Sequence, residues 1–405
     1  MTDVVIAGIG QTPVGEHWHI SLRELAFAAI EAARQEAGGL QPQALFLGNM
    51  LAPHLSRQAH LATLVADFAG LTGIEAATVE AAGASGGAAL RAGYLAVASG
   101  QADVALVVGV EKFTDQIGAA VDEALATGGD SDYEAVHGLT PTAQAALMMR
   151  RYMHECDVPR AAFAGFPLTA HANGACNPQA MFQKPIPAEA YHRAGMVSEP
   201  LNMFDVAPTA DGAAALILTR PELLPPDFPQ PLVRIAGSGV ATDTLALHDR
   251  PDPLILHAAR LSVERACQKA RITPLQVDLF ELYDAYSIYA ALSLEAAGFA
   301  ERGQGWRLAQ AGGARDDGAR DGGNNQGGAQ PAPISLGGSL PISTLGGLKA
   351  RGNPGGATGV YQAVEAVLQL RGQAGQNQIP GARRALIQCL GGPASTAITH
   401  VLEAV

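Results

Sequence analysis

Aromatic and charged residues are both scarce in this chain. Phe, Trp and Tyr make up 5% of its 405 residues, and Asp, Glu, Lys and Arg 16%. The sparse charge sums to −12 with no block of Lys or Arg, which argues against a nucleic-acid partner. A local basic patch for a phosphorylated cofactor such as coenzyme A stays compatible with it. Cysteine occurs four times (Cys156, Cys176, Cys267, Cys389), without a CxxC pair, so neither a disulfide framework nor a zinc knuckle is indicated and no metal site is expected. No apolar run approaches the ~20 residues of a membrane span. Met1 leads directly into the strand-like Val4-Val-Ile-Ala-Gly-Ile, with no basic n-region or cleavage site. The expectation is a soluble cytoplasmic protein. No P-loop or GxGxxG follows a strand, so a nucleotide fold of those types is unsupported.

What is abundant is small and apolar: 48% hydrophobic residues and 47 glycines, enough for two or three cores with close helix–sheet packing. Near-continuous apolar runs predict buried strands over 4–9, 44–48, 104–110, 213–218, 232–236, 279–282 and 385–390. Helical patterns fall at 22–37, 86–99, 253–270, 287–297 and 358–370. Their alternation implies an α/β protein. A faint repeat accompanies it: Gly86-Gly87 and Gly355-Gly356, 269 residues apart, each open a helix that leads into a strand. Two unrelated α/β units would read the same way.

Two segments break the pattern. Residues from about 111 to 200 hold most of the Met and little strand signal, and read as a helical and loop excursion inserted in the first half. Residues 312–328 are a Gly/Asp/Asn-rich stretch that cannot bury an apolar face and reads as a surface loop.

The most informative stretch is Thr78-Val-Glu-Ala-Ala-Gly83-Ala-Ser-Gly-Gly-Ala-Ala-Leu90, a strand turning sharply into a helix. Three further segments follow in order: Met203-Phe-Asp-Val-Ala-Pro-Thr-Ala-Asp-Gly-Ala-Ala-Ala215, Glu281-Leu-Tyr-Asp-Ala-Tyr286, and Gly346-Gly-Leu-Lys-Ala-Arg-Gly-Asn-Pro-Gly-Gly-Ala-Thr-Gly359 with Gln388-Cys-Leu-Gly-Gly392. Together they resemble the thiolase superfamily over nearly the whole chain, closest in flavour to its sterol-carrier-type and archaeal-type branch. The resemblance implies a five-layered α-β-α-β-α sandwich of two similar halves, 1–225 and 226–405, with a loop domain inserted at about 111–200. It also implies a homodimer or dimer of dimers, and two Gly-Gly helices as pseudo-twofold mates whose N-termini meet at the active site.

The same resemblance makes Gly83 a vacated nucleophile position. A cysteine at a helix N-terminus is activated by the dipole and unpaired N–H groups, whereas a glycine can form no acyl-enzyme. The backbone N–H of Gly83 remains, and a family-like oxyanion hole would pair it with that of Gly391; the plain alternative is a glycine easing a tight turn. Asn353 stands where the family has the histidine of Gly-His-Pro. It can donate a hydrogen bond or cap a helix, but it cannot shuttle protons near neutral pH. Tyr283 replaces a His or Asn and could donate to an oxyanion or act as an acid or base, unless it and Tyr286 and Tyr289 simply pack. Cys389 holds the place of the family's α-proton base, though a lone buried cysteine is otherwise a small hydrophobe. In the insertion, His171 and Asn177 are expected near the pantetheine channel.

The leading expectation is an acyl-CoA protein that makes or breaks carbon–carbon bonds without a cysteinyl intermediate, as in an aldol or retro-aldol reaction of a β-hydroxyacyl-CoA. Coenzyme A thioester is then a substrate or ligand, with no tightly bound cofactor. A zinc-ribbon/OB-fold protein is the expected partner, by analogy with cysteine-less thiolase-like aldolases. One alternative is a non-catalytic acyl-CoA-binding or scaffolding subunit. Another is an ordinary acetyl-CoA acyltransferase with its cysteine replaced by design, against which Asn353 counts. If the site is otherwise thiolase-like, Gly83→Cys alone is expected to take up an acyl group.

Overall fold

The computed structural model describes residues 3–312 and 331–405. The glycine-rich stretch 312–328 lies, apart from Gly312, outside the described residues.

Five strands belong to the first half: β1 (Val5–Gln11), β2 (Ala44–Gly48), β3 (Glu75–Val79), β4 (Val104–Glu111) and, after a short hairpin of β5 (Met196–Ser198) and β6 (Leu201–Asn202), β7 (Gly212–Thr219). Four belong to the second: β8 (Val233–Thr242), β9 (Leu279–Glu281), β10 (Arg384–Gly391) and β11 (Thr396–Ala404). The order is β3-β2-β4-β7-β1-β8-β11-β10-β9. The two half-sheets are thus joined edge to edge, by Val5 opposite Arg234 and Ile6 opposite Val233.

Alternation along the strands shows how the layers stack. Leu45 and Leu47 of β2 pack in one cluster with helices α1 (Leu22–Glu36) and, after the single turn α2 (Ala52–Leu55), α3 (Leu61–Phe68). Ala44 and Phe46 point the other way, toward helices α4 (Ser85–Ala98) and α11 (Thr358–Leu370). In the second half Ala385 and Ile387 share that middle cluster. Leu386 and Leu390 face a third cluster with α9 (His257–Ala270) and α10 (Ser287–Ala296). The result is helix, sheet, helix, sheet, helix: the expected five-layered sandwich. Between β4 and β7 the insertion holds α5 (Ala119–Ala126), α6 (Pro141–Glu155), α7 (Gly165–Gly174) and α8 (Ala188–Arg193).

The repeat is present with a corrected register. A 3-10 turn at Ala82–Ala84 precedes α4, and one at Gly355–Ala357 precedes α11, so turn starts (82 and 355) and helix starts (85 and 358) are both 273 residues apart. Gly86 therefore matches Gly359 rather than Gly355. These two glycines allow the contact between the helices. A Cβ at Gly86 would lie 2.8 Å from Gly356 O, and one at Gly359 only 2.3 Å from Gly87 N. Because backbone cannot yield there, Gly359→Ala is expected to cost about 1–3 kcal/mol as an overpacked core substitution, read as a lowered denaturation midpoint with an unchanged m-value.

Candidate active site

Where the two helix starts meet, a cavity of ≈ 270 Å³ opens. Gly83, Tyr283 and Asn353 all line it, joined by Tyr286, Tyr289 and Gly392. The local sequence explains each placement. Gly83 sits in the 3-10 turn ahead of α4, where first-turn N–H groups have no helical partner. Asn353 precedes Pro354 and the matching turn of α11, and its Oδ1 accepts from Gly355 N–H at 3.2 Å and from Thr358 Oγ1 at 3.4 Å. The Asn353 side chain thus braces the turn that leads into α11, and with its oxygen so engaged its Nδ2 hydrogens are what it offers the cavity.

Tyr283 holds the decisive position. A Cβ built on Gly83 would lie 2.4 Å from Tyr283 Oη and 2.7 Å from the Leu390 carbonyl oxygen, both closer than real Cβ contacts come. The phenol thus stands where a nucleophilic side chain on residue 83 would begin. Among the described residues no protein group hydrogen-bonds its hydroxyl. Burial, followed by the neighbouring Tyr286 and Tyr289, pushes the Tyr283 hydroxyl far above its ordinary pKa. It is consequently a proton donor and not a base at neutral pH. Tyr286 is pushed up to about 12 by burial. Its hydroxyl lies 3.1 Å from Thr142 Oγ1, and its ring packs edge-on to Tyr289 at 5.3 Å.

Cys389 and Gly391 lie elsewhere. Cys389 is buried behind α4, with Sγ 3.8 Å from Ala84 O and 3.7 Å from Ile398 O; a Cβ on Gly87 would lie 2.2 Å from it. It does not line the cavity, and burial pushes its thiol up to about 12. That placement corrects the expectation of Cys389 as α-proton base: the thiolate is disfavoured and the sulfur points into packed core. Gly391 closes β10 opposite Thr396, tight against the Ala81 carbonyl (2.3 Å to a built Cβ). The member of this loop that lines the cavity is Gly392, in the left-handed region at φ 57°.

Three buried groups hold the walls in register. Gln362 on α11 donates through Nε2 to the carbonyls of Glu281 (3.2 Å), Leu282 (3.0 Å) and Gln388 (3.0 Å). It ties the start of the Tyr283 loop and β10 to α11, the helix that follows Asn353. Gln362→Met would strand those buried carbonyls and is expected to cost about 1–3 kcal/mol, measured by urea titration. Glu111 accepts from Met50 N–H (2.9 Å), Leu51 N–H (3.1 Å), Asn49 Nδ2 (2.8 Å) and Gly356 N–H (3.0 Å), linking the first half to the start of α11. Burial outweighs these donors and raises its pKa to about 7. Arg351, two residues before Asn353, is paired in the core with Glu365 at 2.8 Å.

A second cavity, of ≈ 440 Å³, adjoins the first and shares Val197, Val206 and Ala207 with it. His171, expected near such a channel, lines it between Phe182 and Phe204, with ring centroids 5.7 and 5.8 Å away. Asn177 does not line it; its side chain donates to Leu345 O at 2.8 Å and accepts from Gln179 N–H at 2.9 Å, fastening loops. Sequence reasoning missed Lys349 and Lys184, two of only four lysines in the chain, which both line this cavity. Lys349 is almost wholly buried, donates to Asp205 O at 2.6 Å, and has its pKa lowered to about 8, chiefly by burial. Its place in Gly-Gly-Leu-Lys, in so lysine-poor a chain, was the available signal. The described residues contain no cluster able to hold a metal ion, and no described helix is long and apolar enough to cross a membrane.

Two half-sandwiches whose matched helix starts converge on one cavity define a class: condensing-enzyme-like α/β proteins. Residues 4–222 match the thiolase N-terminal domain, and residues 239–332 and 320–404 the thiolase C-terminal domain-like model, so the chain belongs to the thiolase family. An acetyl-CoA acetyltransferase of Methanothermobacter thermautotrophicus is 39% identical over 405 residues, all of both chains. A 17-hydroxy-3-oxo-4-pregnene-20-carboxyl-CoA lyase of Mycobacterium tuberculosis is 30% identical over 306 residues, 72% of each chain. A solved Ltp2-ChsH2(DUF35) aldolase matches the fold with a TM-score of 0.79 at 23% identity, covering 99% of this chain and 98% of that one.

Proposed function

We propose that this protein makes or breaks a carbon–carbon bond of an acyl-CoA thioester by aldol chemistry, with no acyl-enzyme. One observation carries the reading: the Tyr283 hydroxyl occupies the space in which a side chain on residue 83 would begin. In the cleavage direction a base removes the β-hydroxyl proton of a β-hydroxyacyl-CoA. The O–H electrons form a carbonyl as the Cα–Cβ bond breaks, and its electrons pass to Cα as a thioester enolate. The Asn353 amide and the Gly83 N–H are suited to stabilise the enolate oxygen, and the buried Tyr283 phenol to return a proton to Cα. The products are a ketone or aldehyde and a shortened acyl-CoA. One relative is named a CoA lyase, in keeping with this reading, while the more similar one is named an acetyl-CoA acetyltransferase, so the preference rests on the Tyr283 position alone.

The adjoining cavity suits the pantetheine arm, being mostly apolar with Lys349 at its wall. The Lys349 ammonium is present below pH 8 and lost above it. KM for the CoA ester is therefore expected to rise as pH passes 8, and Lys349→Met to show the high KM already at pH 7 with no such rise.

A homodimer or dimer of dimers fits the free outer edge of β3, which pairs only with β2 in the described sheet. A zinc-ribbon/OB-fold partner is proposed to present or accept the acyl group. The reading is tested by incubating the protein, alone and with such a partner, with β-hydroxyacyl-CoA esters and analysing products by mass spectrometry. Release of a carbonyl compound with the shortened CoA ester is expected. CoA-ester binding without turnover in either setting would point instead to the non-catalytic subunit.

A further inference from the structure

The proposed reaction needs a base for the β-hydroxyl proton, and the groups considered so far are unsuited to it. The phenols of Tyr283, Tyr286 and Tyr289 are held in their neutral form by burial. Cys389 lies outside the cavity and Asn353 has no basic nitrogen. Among the described residues lining the cavity there is no His, Lys, Arg, Cys or Glu; the single ionisable group besides the tyrosines is the carboxylate of Asp122.

Asp122 is in the first turn of α5, the helix of the inserted segment whose Leu125 lines the same wall, followed by Gly128 and Gly129. Its charge acts on the Tyr286 hydroxyl, which also lies 3.1 Å from Thr142 Oγ1, another residue of the same lining. The carboxylate is solvent-exposed, so it can exchange a proton with water between turnovers. Gly83 and Asn353 stand at the helix starts, and Asp122 comes from the separate inserted segment. A thioester held at the helix starts therefore has a carboxylate from a different element available for its β-substituent.

We propose that Asp122 is the catalytic base of the site: it takes the β-hydroxyl proton in cleavage and returns it to the carbonyl oxygen in the aldol direction. In one turnover Asp122 gains the proton that the β-oxygen loses and releases it to solvent, while Tyr283 gives one to Cα and recovers it from solvent. This inference rests on the aldol reading, and it assigns the substrate class as β-hydroxyacyl thioesters whose hydroxyl is unblocked. The alkyl ethers of those substrates, with no proton to remove, would bind without being cleaved.

The test uses the full-length protein with whichever partner the wild type requires. Asp122→Asn is expected to lower kcat by ~10²–10⁴, the usual contribution of a positioned base. KM should change little, and the acidic limb of the pH–rate profile should disappear. Asp122→Gly should regain turnover on addition of formate, an exogenous carboxylate that a merely structural role would not let substitute. If the wild type cleaves β-hydroxyacyl-CoA while Asp122→Asn retains wild-type kcat and the acidic limb, Asp122 is not the base and the aldol reading survives. If the wild type cleaves no such ester with or without partner, the aldol reading itself is overturned, and the base with it.

Discussion

Gly83→Cys alone is expected to stay free of any acyl adduct after incubation with acetyl-CoA, whereas Gly83→Cys/Tyr283→Ala is expected to take up one acetyl group, both read by intact-protein mass. From sequence, the single change looked sufficient, because the helix start that would activate the thiol is intact. The tertiary structure changes that expectation. A Cβ at residue 83 meets the Tyr283 hydroxyl at 2.4 Å and the Leu390 carbonyl oxygen at 2.7 Å, and both must yield before a thiol fits. Shortening Tyr283 removes the first obstacle and opens a path for the thioester; the second is a backbone oxygen, and the Leu390 segment must shift to admit the new Cβ. The dipole and unpaired N–H groups at the start of α4 then favour the thiolate. Equal acylation of the single and double variants would show that the phenol does not guard this position. The double variant should still turn over poorly as a thiolase, since Asn353 cannot relay the proton.

Tyr283→Phe is expected to lower kcat for cleavage of a β-hydroxyacyl-CoA by ~10²–10⁴, the scale for losing a positioned general acid. KM should stay close to that of the wild type. The ring remains, with its Cζ still 3.0 Å from a Cβ built on Gly83, and only the hydroxyl is lost. Stability should therefore be nearly unchanged, which separates a chemical role from a packing role. A variant with wild-type kcat would leave Tyr283 as a plug that merely excludes a nucleophile.

Much of the fold was legible because it is local. The strand at 44–48 and the helix at 358–370 occur with the bounds their patterns predict, since continuous apolar runs and amphipathic periodicity are properties of short segments. The helices α6 and α7 were hidden in a segment read as mixed helix and loop. Strand β11 went unread although its Thr396-Ala-Ile-Thr-His-Val-Leu is strand-like. The repeat was visible but out of register, because Gly-Gly pairs draw the eye where the structure aligns the turns that precede each helix. Gly86 and Gly359 are mates because backbone must approach backbone there.

For the site, the sequence by itself determined that residue 83 carries no thiol and that residues 283 and 353 are a tyrosine and an asparagine. Those are identities at positions anchored by short motifs, and they survive any uncertainty in packing. Only the tertiary structure decided what the absence means. It brings a side chain from the loop after β9 into the space before the start of α4, buries Cys389 behind that helix, and brings Asp122 from the inserted segment to the same cavity. Such relations depend on how α4 and α11 meet and on the directions side chains take from distant elements. No periodicity or spacing along the chain encodes them.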